Sequence, residues 1–300
     1  MLDWDDLRHF AAFAQAGSLT AAARRLEVEH ATVARRIAAL EAALGLKLVD
    51  RRERRYALTA DGARIAALGR QMQDGADAVA RAARAGQEGV QGEVALSAPP
   101  VTAATLIGPR LGELRRRHPG IALRVIAEKR FASLRSEVDL AVRLSRPEEP
   151  DLVVRRLGQL TFSFYASPQY LARTPPERFE FIGYDDALDD APRLQQQWLR
   201  GFAGTRPQVL RCSSADVQQA AARAGAGVAL LGDFAAAGDP GLARLDAGAA
   251  ALQRDVWLVV HRDLRRAPAV RAVADFLARC MPVGAAGSGD SGSGGREEPF

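Results

Sequence analysis

The chain has few of the residues that metal or disulfide chemistry would need. Of its 300 residues two are cysteines, Cys212 and Cys280, and four are histidines, His9, His30, His118 and His261, all scattered and none at metal-ligand spacing from another. The two thiols read as small apolar packing residues rather than a redox pair. No metal site and no cofactor are expected. Signatures of catalysis are also missing: there is no phosphate-binding loop and no convincing Ser-His-Asp arrangement, and neither Ser97 nor Ser213 has an evident base. An enzyme is not expected. No apolar run reaches the ~18 residues of a membrane span, and the opening MLDWDDLRHF is acidic and lacks the apolar stretch of an export signal. The expected location is the cytoplasm. Solenoid-type repeats are absent.

The charge balance excludes little. Lys and Arg total 41 against 36 Asp and Glu, a net charge of +5, which permits nucleic-acid binding without arguing for it. Placement decides more than the sum. At 48% hydrophobic content the chain has enough apolar material for two domains with cores of their own.

The most informative stretch is SLTAAARRLEVEHATVARRI, Ser18 to Ile37. Ser18 caps a first helix with Ala22 and Leu26 on one face, a turn falls at Glu27–Glu29, and Val33, Ile37, Leu40 and Leu44 form the buried stripe of a second helix that stops at Gly45. His30, Thr32, Arg35 and Arg36 lie off that stripe near the helix start, where a recognition helix presents side chains to base edges and phosphates. Two short apolar segments, Leu46–Val49 and Tyr56–Thr59, then flank Asp50-Arg51-Arg52-Glu53-Arg54-Arg55. This reads as a β-hairpin wing with Arg51, Arg52, Arg54 and Arg55 near its tip, suited to phosphates and to salt-sensitive, sequence-independent affinity. A solvated charged turn is the alternative for the arginine cluster taken alone.

Leu7, Phe10, Gly17-Ser18, Ala22-Ala23, Leu26, Val33, Ile37, Leu40-Glu41, Leu44-Gly45, Leu48, Arg51 and Leu58-Thr59-Ala60-Asp61-Gly62 together resemble the N-terminal winged helix-turn-helix of the LysR-type transcriptional regulators. The pattern of that family's effector-binding domain recurs from Gly92 to about Met281. The resemblance implies an α/β protein with a winged helix-turn-helix at residues 1–60, a linker and dimerisation helix with hinge at 61–91, and a two-subdomain effector-binding domain at 92–282. That domain would be like a type 2 periplasmic binding protein. A disordered tail is expected at 283–300, which is Gly/Ser-rich without apolar periodicity.

From Thr59 to about Ala85 the residues Ile65, Leu68, Met72, Ala76, Val79 and Ala83 recur with a period near 3.5, the pattern of a coiled-coil seam. It is rich in alanine and interrupted by Gly69 and Gly75, so pairing through it would lean on other surfaces as well. A monomeric helix packed on its own domain is the alternative. GQEGVQG at 86–92 reads as the hinge. Beyond it strands and helices alternate: strands at Val94–Ala98, Ile121–Ala127, Asp139–Leu144, Phe162–Ala166, Phe179–Tyr184, Val209–Cys212, Val228–Leu231 and Val256–His261, with helices at Thr102–His118, Ala215–Ala224 and Pro268–Met281. The resemblance implies two subdomains crossed by strands near Leu157–Tyr165 and Val256–Arg262, with a ligand cleft between them.

Ligands in open α/β sheets gather where strands end and helices begin. Ser97, Ala98 and Thr102 stand at one such point and Ser213 and Ser214 at another; Arg143 and Arg130 follow strands and would supply positive charge. Donors without built-in acceptors favour a small anion, expected to be a carboxylate. For Ser214 the alternative is a simple helix cap, and for Arg143 a surface charge. The chain departs from the family pattern at Glu29, His30, Ala34, Ser136 and Gly232, the first three of which leave DNA sequence preference open. The reading is a ligand-responsive regulator that binds double-stranded DNA as a homodimer or homotetramer, with RNA polymerase a further expected partner. A solute-binding transport protein would explain only the second half of the chain.

Overall fold

The computed structural model describes residues 2–50, 56–85, 89–127, 138–147, 149, 151–185, 192–245 and 250–281. It falls into two compact units, Met1–Ala83 and Arg84–Phe300.

In the first unit, helices α1 (Trp4–Ala16), α2 (Leu19–Leu26) and α3 (His30–Leu44) precede a two-stranded hairpin, β1 (Val49–Asp50) and β2 (Ala57–Leu58), and helix α4 (Ala60–Ala85). The expected cap is present: Ser18 Oγ accepts the N–H of Ala21 at 3.2 Å. Helix α2 ends on Glu27, the one non-glycine residue of positive φ among the described residues, at +54°. Val28 N–H closes the turn onto Ala23 O at 3.0 Å. Val33, Ile37 and Leu40 are buried with Phe10, Phe13, Ala22 and Leu48 in one core. Gly45 ends α3 in the left-handed conformation, as expected.

The Leu58-Thr59-Ala60-Asp61-Gly62 stretch is a clasp between the wing and α4. Thr59 Oγ1 donates to Lys47 O at 2.6 Å and accepts from Gly62 N at 2.9 Å, so one hydroxyl caps α4 and ties it to the segment that leads into β1. A side chain at Gly62 would collide with the carbonyl oxygen of Leu48. Gly69 is likewise a point of close approach, since a Cβ there would lie 3.1 Å from Leu7 of α1. The glycine that breaks the seam in sequence therefore packs α4 against its own domain, together with Ala66. Leu68, Met72 and Val79 remain exposed on α4, at 51%, 49% and 72%.

The second unit is built on a nine-stranded mixed sheet. Parallel strands β3 (Gly92–Ala98), β4 (Ile121–Ala127) and β5 (Leu140–Arg143) form one half. Two long strands, β6 (Leu152–Ala166) and β11 (Leu252–His261), run antiparallel through the middle. Parallel strands β7 (Phe181–Tyr184), β8 (Gln208–Cys212) and β9 (Val228–Gly232) form the other half, and the short β10 (Ala243–Arg244) pairs with β6. This is the expected pair of α/β halves with two crossing strands. A register shift lies between Val256 and Trp257, where β11 passes Gly158 and Arg156 of β6.

The expected helix Thr102–His118 is not continuous. It begins as α5 (Pro100–Thr102), widens into a π-type turn at Ala103–Ile107, tightens to 3-10 at Gly108–Arg110 and resumes as α6 (Leu111–Arg117). Pro109 lacks the N–H that a regular helix would use there, which accounts for the break. Helices α7 (Pro168–Arg173) and α8 (Arg193–Ala203) were not read from the sequence. The order closes with α9 (Ala215–Arg223), α10 (Asp233–Ala236) and α11 (Pro268–Cys280). Gly232, a departure from the family pattern, leaves room for the ring of Phe234, which would overlap any Cβ placed there and which meets Phe162 edge-on at 6.2 Å. The tail at 283–300, Ser136 and part of the hinge lie outside the described residues.

Candidate nucleic-acid interface and ligand site

The recognition-helix residues divide into two groups. His30 and Arg35 are exposed on α3 and Thr32 is half-buried. Arg36 turns the other way, toward α1, where Nη1 meets Asp6 Oδ1 at 3.1 Å and Nη2 meets Asp5 Oδ2 at 3.1 Å, with Asp3 at 4.0 Å. The hydrogen bond to Asp6 and the neighbouring carboxylates hold its pKa above the usual guanidinium value. Arg36 therefore ties α3 to α1, and Arg35 is exposed on the outer side of the helix. Arg51, Arg52, Arg54 and Arg55 lie outside the described residues. The hairpin leading to them is in place, with Val49 opposite Leu58 and Asp50 opposite Ala57.

What holds that hairpin on α3 is a buried carboxylate. Glu41 Oε1 accepts the N–H groups of Leu48 at 2.9 Å and Val49 at 3.2 Å, and Lys47 stands 3.5 Å from Oε2. A glutamate at a core-facing helical position is the signal that sequence inspection offers for such a role, since a buried charge needs partners.

In the second unit Ser97 and Arg143 come together. Arg143 Nη1 donates to Ser97 Oγ at 3.1 Å and to Val142 O at 3.2 Å across the carboxyl ends of β3 and β5. The guanidinium is buried, not a surface charge, at 6% exposure. Burial pulls its pKa down to about 10 while the Glu149 carboxylate acts in the opposite sense, so it stays cationic at neutral pH. Ala98 follows Ser97 directly and Thr102 lies further along in α5, and both are fully buried, at 0% and 1%. Pro99 and Pro100 carry no N–H, so the start of α5 offers fewer backbone donors than an ordinary helix start.

Ser213 is exposed and Ser214 half-buried. Ser214 stands at the start of α9 without capping it; its hydroxyl donates to Asp216 Oδ2 at 3.2 Å. That helix start thus already carries an internal anion. The positive side of the candidate site lies with Ser97 and Arg143. Arg130 is outside the described residues. Two cavities of about 600 and 410 Å³ lie elsewhere in this unit, one along α9 by Arg223 and Asp239 and one beside Trp198 and Phe202 of α8, and neither is lined by Ser97 or Arg143.

A winged helix-turn-helix joined to a two-half α/β domain defines a DNA-binding regulator with a ligand-sensing domain. Comparison with known proteins gives the family. Residues 4–63 match the bacterial regulatory helix-turn-helix of the lysR family and residues 87–281 match the LysR substrate binding domain, so the chain belongs to the LysR-type transcriptional regulators. It is 29% identical over 280 residues to the Mau operon transcriptional activator of Paracoccus denitrificans, covering 92% of this chain and 96% of that one. It is also 26% identical over 237 residues to the regulator CrgA of Neisseria meningitidis, over 77% and 79% of the two chains. Among solved structures, full-length AphB, the Vibrio cholerae virulence activator, shares the fold with a TM-score of 0.60 at 21% identity, over 92% of this chain and 98% of that one. The relatives are transcriptional regulators, and this chain is a regulator and not an enzyme. Among the described residues no helix is long and apolar enough to cross a membrane.

Proposed function

We propose that this regulator binds promoter DNA as a dimer or tetramer and responds to a small anionic metabolite. The outward cation of Arg35, on a helix whose inward cation is spent on α1, supports the DNA reading, with His30 and Thr32 beside it and the wing arginines 51, 52, 54 and 55 on phosphates. The exposed Leu68, Met72 and Val79 on α4 fit pairing with a second copy. For the ligand, the observation that carries the reading is the buried Arg143 guanidinium held on Ser97 at 3.1 Å. A desolvated cation at strand ends favours a carboxylate more strongly than a neutral ligand. Ala98, Thr102, Ser213, Ser214 and Arg130 are the further residues proposed to meet the ligand. Ligand binding shifts the balance between arrangements of the two halves and so repositions the DNA-binding units, to the extent that the ligand prefers one arrangement. The segments proposed are 1–60 for reading DNA, 61–91 for linkage and pairing, 92–282 for sensing and 283–300 as a tail, with RNA polymerase as the downstream partner in the cytoplasm.

The test is retention of duplex fragments from a genomic digest by the purified full chain, followed by electrophoretic shift at several salt concentrations. The expected result is a small set of fragments whose affinity falls steeply with salt and drops on Arg35→Ala. Retention of no fragment above bulk DNA would overturn the reading.

A further inference from the structure

Strand β11 alternates as it crosses the sheet: Leu252 and Val256 are buried, Gln253 is exposed, and Arg254 stands at a core-facing position opposite the buried Leu160 of β6. A desolvated charge is costly unless it is hydrogen-bonded. Here Nη1 donates to Gln195 Oε1 in α8 and Nη2 donates to Leu144 O, each at 2.6 Å. Gln195 is itself buried, so its amide oxygen has a fixed place in α8. Burial displaces the Arg254 pKa downward.

The two acceptors belong to different halves of the sheet. Leu144 follows β5 directly, in the half built on β3, β4 and β5, whereas α8 packs on β7 and β9 of the other half. The bond to Leu144 also closes over the register shift between the crossing strands. Before the shift, Leu252–Val256 of β11 run beside the part of β6 that continues to β9; after it, Trp257 pairs with Arg143 of β5. A register shift interrupts the ladder and is a place where a sheet bends. Arg254 stands on one side of that point and Leu144 on the other. A guanidinium is planar and presents its donors in a fixed fork, so it fixes the two acceptors relative to one another. An apolar side chain of similar length would fill the space without the desolvation cost and would tie nothing.

We infer that Arg254 is a latch between the two halves of the second unit, holding α8 of one against the end of β5 of the other and so setting the arrangement on which DNA binding depends. This rests on the regulator reading above and deepens it: switching requires the fork to release Leu144 or Gln195. Arg254 acts through its acceptors and is a positioning residue.

The test measures the distance between the halves in the full chain, by pulsed electron resonance between spin labels at Arg116→Cys in α6 and Glu177→Cys after α7, both exposed positions. The background carries Cys212→Ala and Cys280→Ala, and labelled copies are diluted into unlabelled ones. Arg254→Met and Gln195→Met are each expected to move the mean distance by more than about 2 Å or to broaden its distribution about twofold. The double variant should do no more than either alone, since both remove one link. Arg156→Met is the control, because Arg156 pairs with Asp255 and so joins only the two crossing strands; it should leave the distance unchanged. In electrophoretic shift without added ligand, the two latch variants should change affinity for the most strongly retained DNA fragment at least about fivefold, and the control should not. An unmoved distance in Gln195→Met, which removes a single acceptor and decides the matter should Arg254→Met not fold, would overturn the latch. So would a distance that moves equally in Arg156→Met. A moved distance with unchanged DNA affinity would overturn its regulatory role. If the original protein retains no fragment, the regulator reading falls and the distances alone still decide the latch.

Discussion

The Glu41 carboxylate accepts the backbone N–H of Leu48 at 2.9 Å, and that bond fixes the wing to the third helix. With Val49 also donating to the same oxygen at 3.2 Å, Glu41→Ala leaves two buried donors unpaired. Each costs about 1–3 kcal/mol. Calorimetric unfolding of the full chain should show a transition lowered accordingly, with DNA affinity reduced for every sequence alike, because the wing is released. Glu41→Gln keeps an acceptor oxygen and should lose less. An alanine variant with unchanged melting would remove the anchor role.

Arg35 and Arg36 are neighbours in sequence with opposite duties. Arg36→Ala should lower thermal stability, and the loss should shrink at high salt, since its partners are the carboxylates of Asp6 and Asp5 at 3.1 Å. Arg35→Ala should leave melting within about 0.5 kcal/mol, as expected of an exposed side chain, and yet weaken and blur DNA binding by about 1–3 kcal/mol if it meets a base edge. The pair of measurements separates folding from reading. If Arg36→Ala melted like the original protein and lost DNA affinity as Arg35→Ala does, the division of labour would be wrong.

Tyr165 makes a pH prediction with a definite sign. Its hydroxyl donates to Asp233 Oδ1 at 3.2 Å, and burial foremost, with the Asp233 carboxylate beside it, pushes its pKa up from 10.0 to about 12. A phenol raised in the folded state contributes stability that is fully present below pH 10 and is lost as pH rises through about 12, because the unfolded chain ionises first. Urea unfolding between these limits should show stability falling with pH, and Tyr165→Phe should flatten that fall. At pH 8 the same variant should cost about 0.5–1.5 kcal/mol for the lost hydrogen bond. An identical pH slope in the phenylalanine variant would exclude Tyr165 as its source.

These residues also show how far sequence reasoning reaches. The stripe Val33, Ile37 and Leu40 and the cap at Ser18 are local patterns, and they were legible because one helix period or one hydroxyl decides them. The parallel strands were legible for the same reason, as short apolar runs between turns. Arg36 was not, because its partners stand thirty residues upstream and nothing in ARRI distinguishes an arginine facing inward from one facing out. Arg254 reaches over a hundred residues to Leu144, and that contact exists only once β11 has entered the sheet. The broken helix after Thr102 had a visible cause in Gly108-Pro109, but its apolar periodicity outweighed it. Gly69 read as a defect in a seam and is a contact with Leu7, a distinction that requires knowing which face of α4 meets α1.

That face settles which residues of α4 are free to pair with a second copy. Ala66 and Gly69 are committed to the domain core, whereas Leu68, Met72 and Val79 are exposed at 51%, 49% and 72%. Exposed apolar side chains spaced four and seven along one helix have the geometry of a seam, and burying each fully stabilises an assembly by about 1.5–3 kcal/mol. Met72→Asp combined with Val79→Asp places two like charges on each helix of a pair and should therefore separate the copies without unfolding either, since neither side chain enters the domain core. Light scattering should show the mass falling with dilution far sooner than for the original protein, and operator affinity should fall with it, because one reading head alone makes too few contacts. The melting transition of the DNA-binding unit should stay where it was. Should the double variant keep its mass and its operator affinity at low micromolar concentration, α4 would not be the pairing surface.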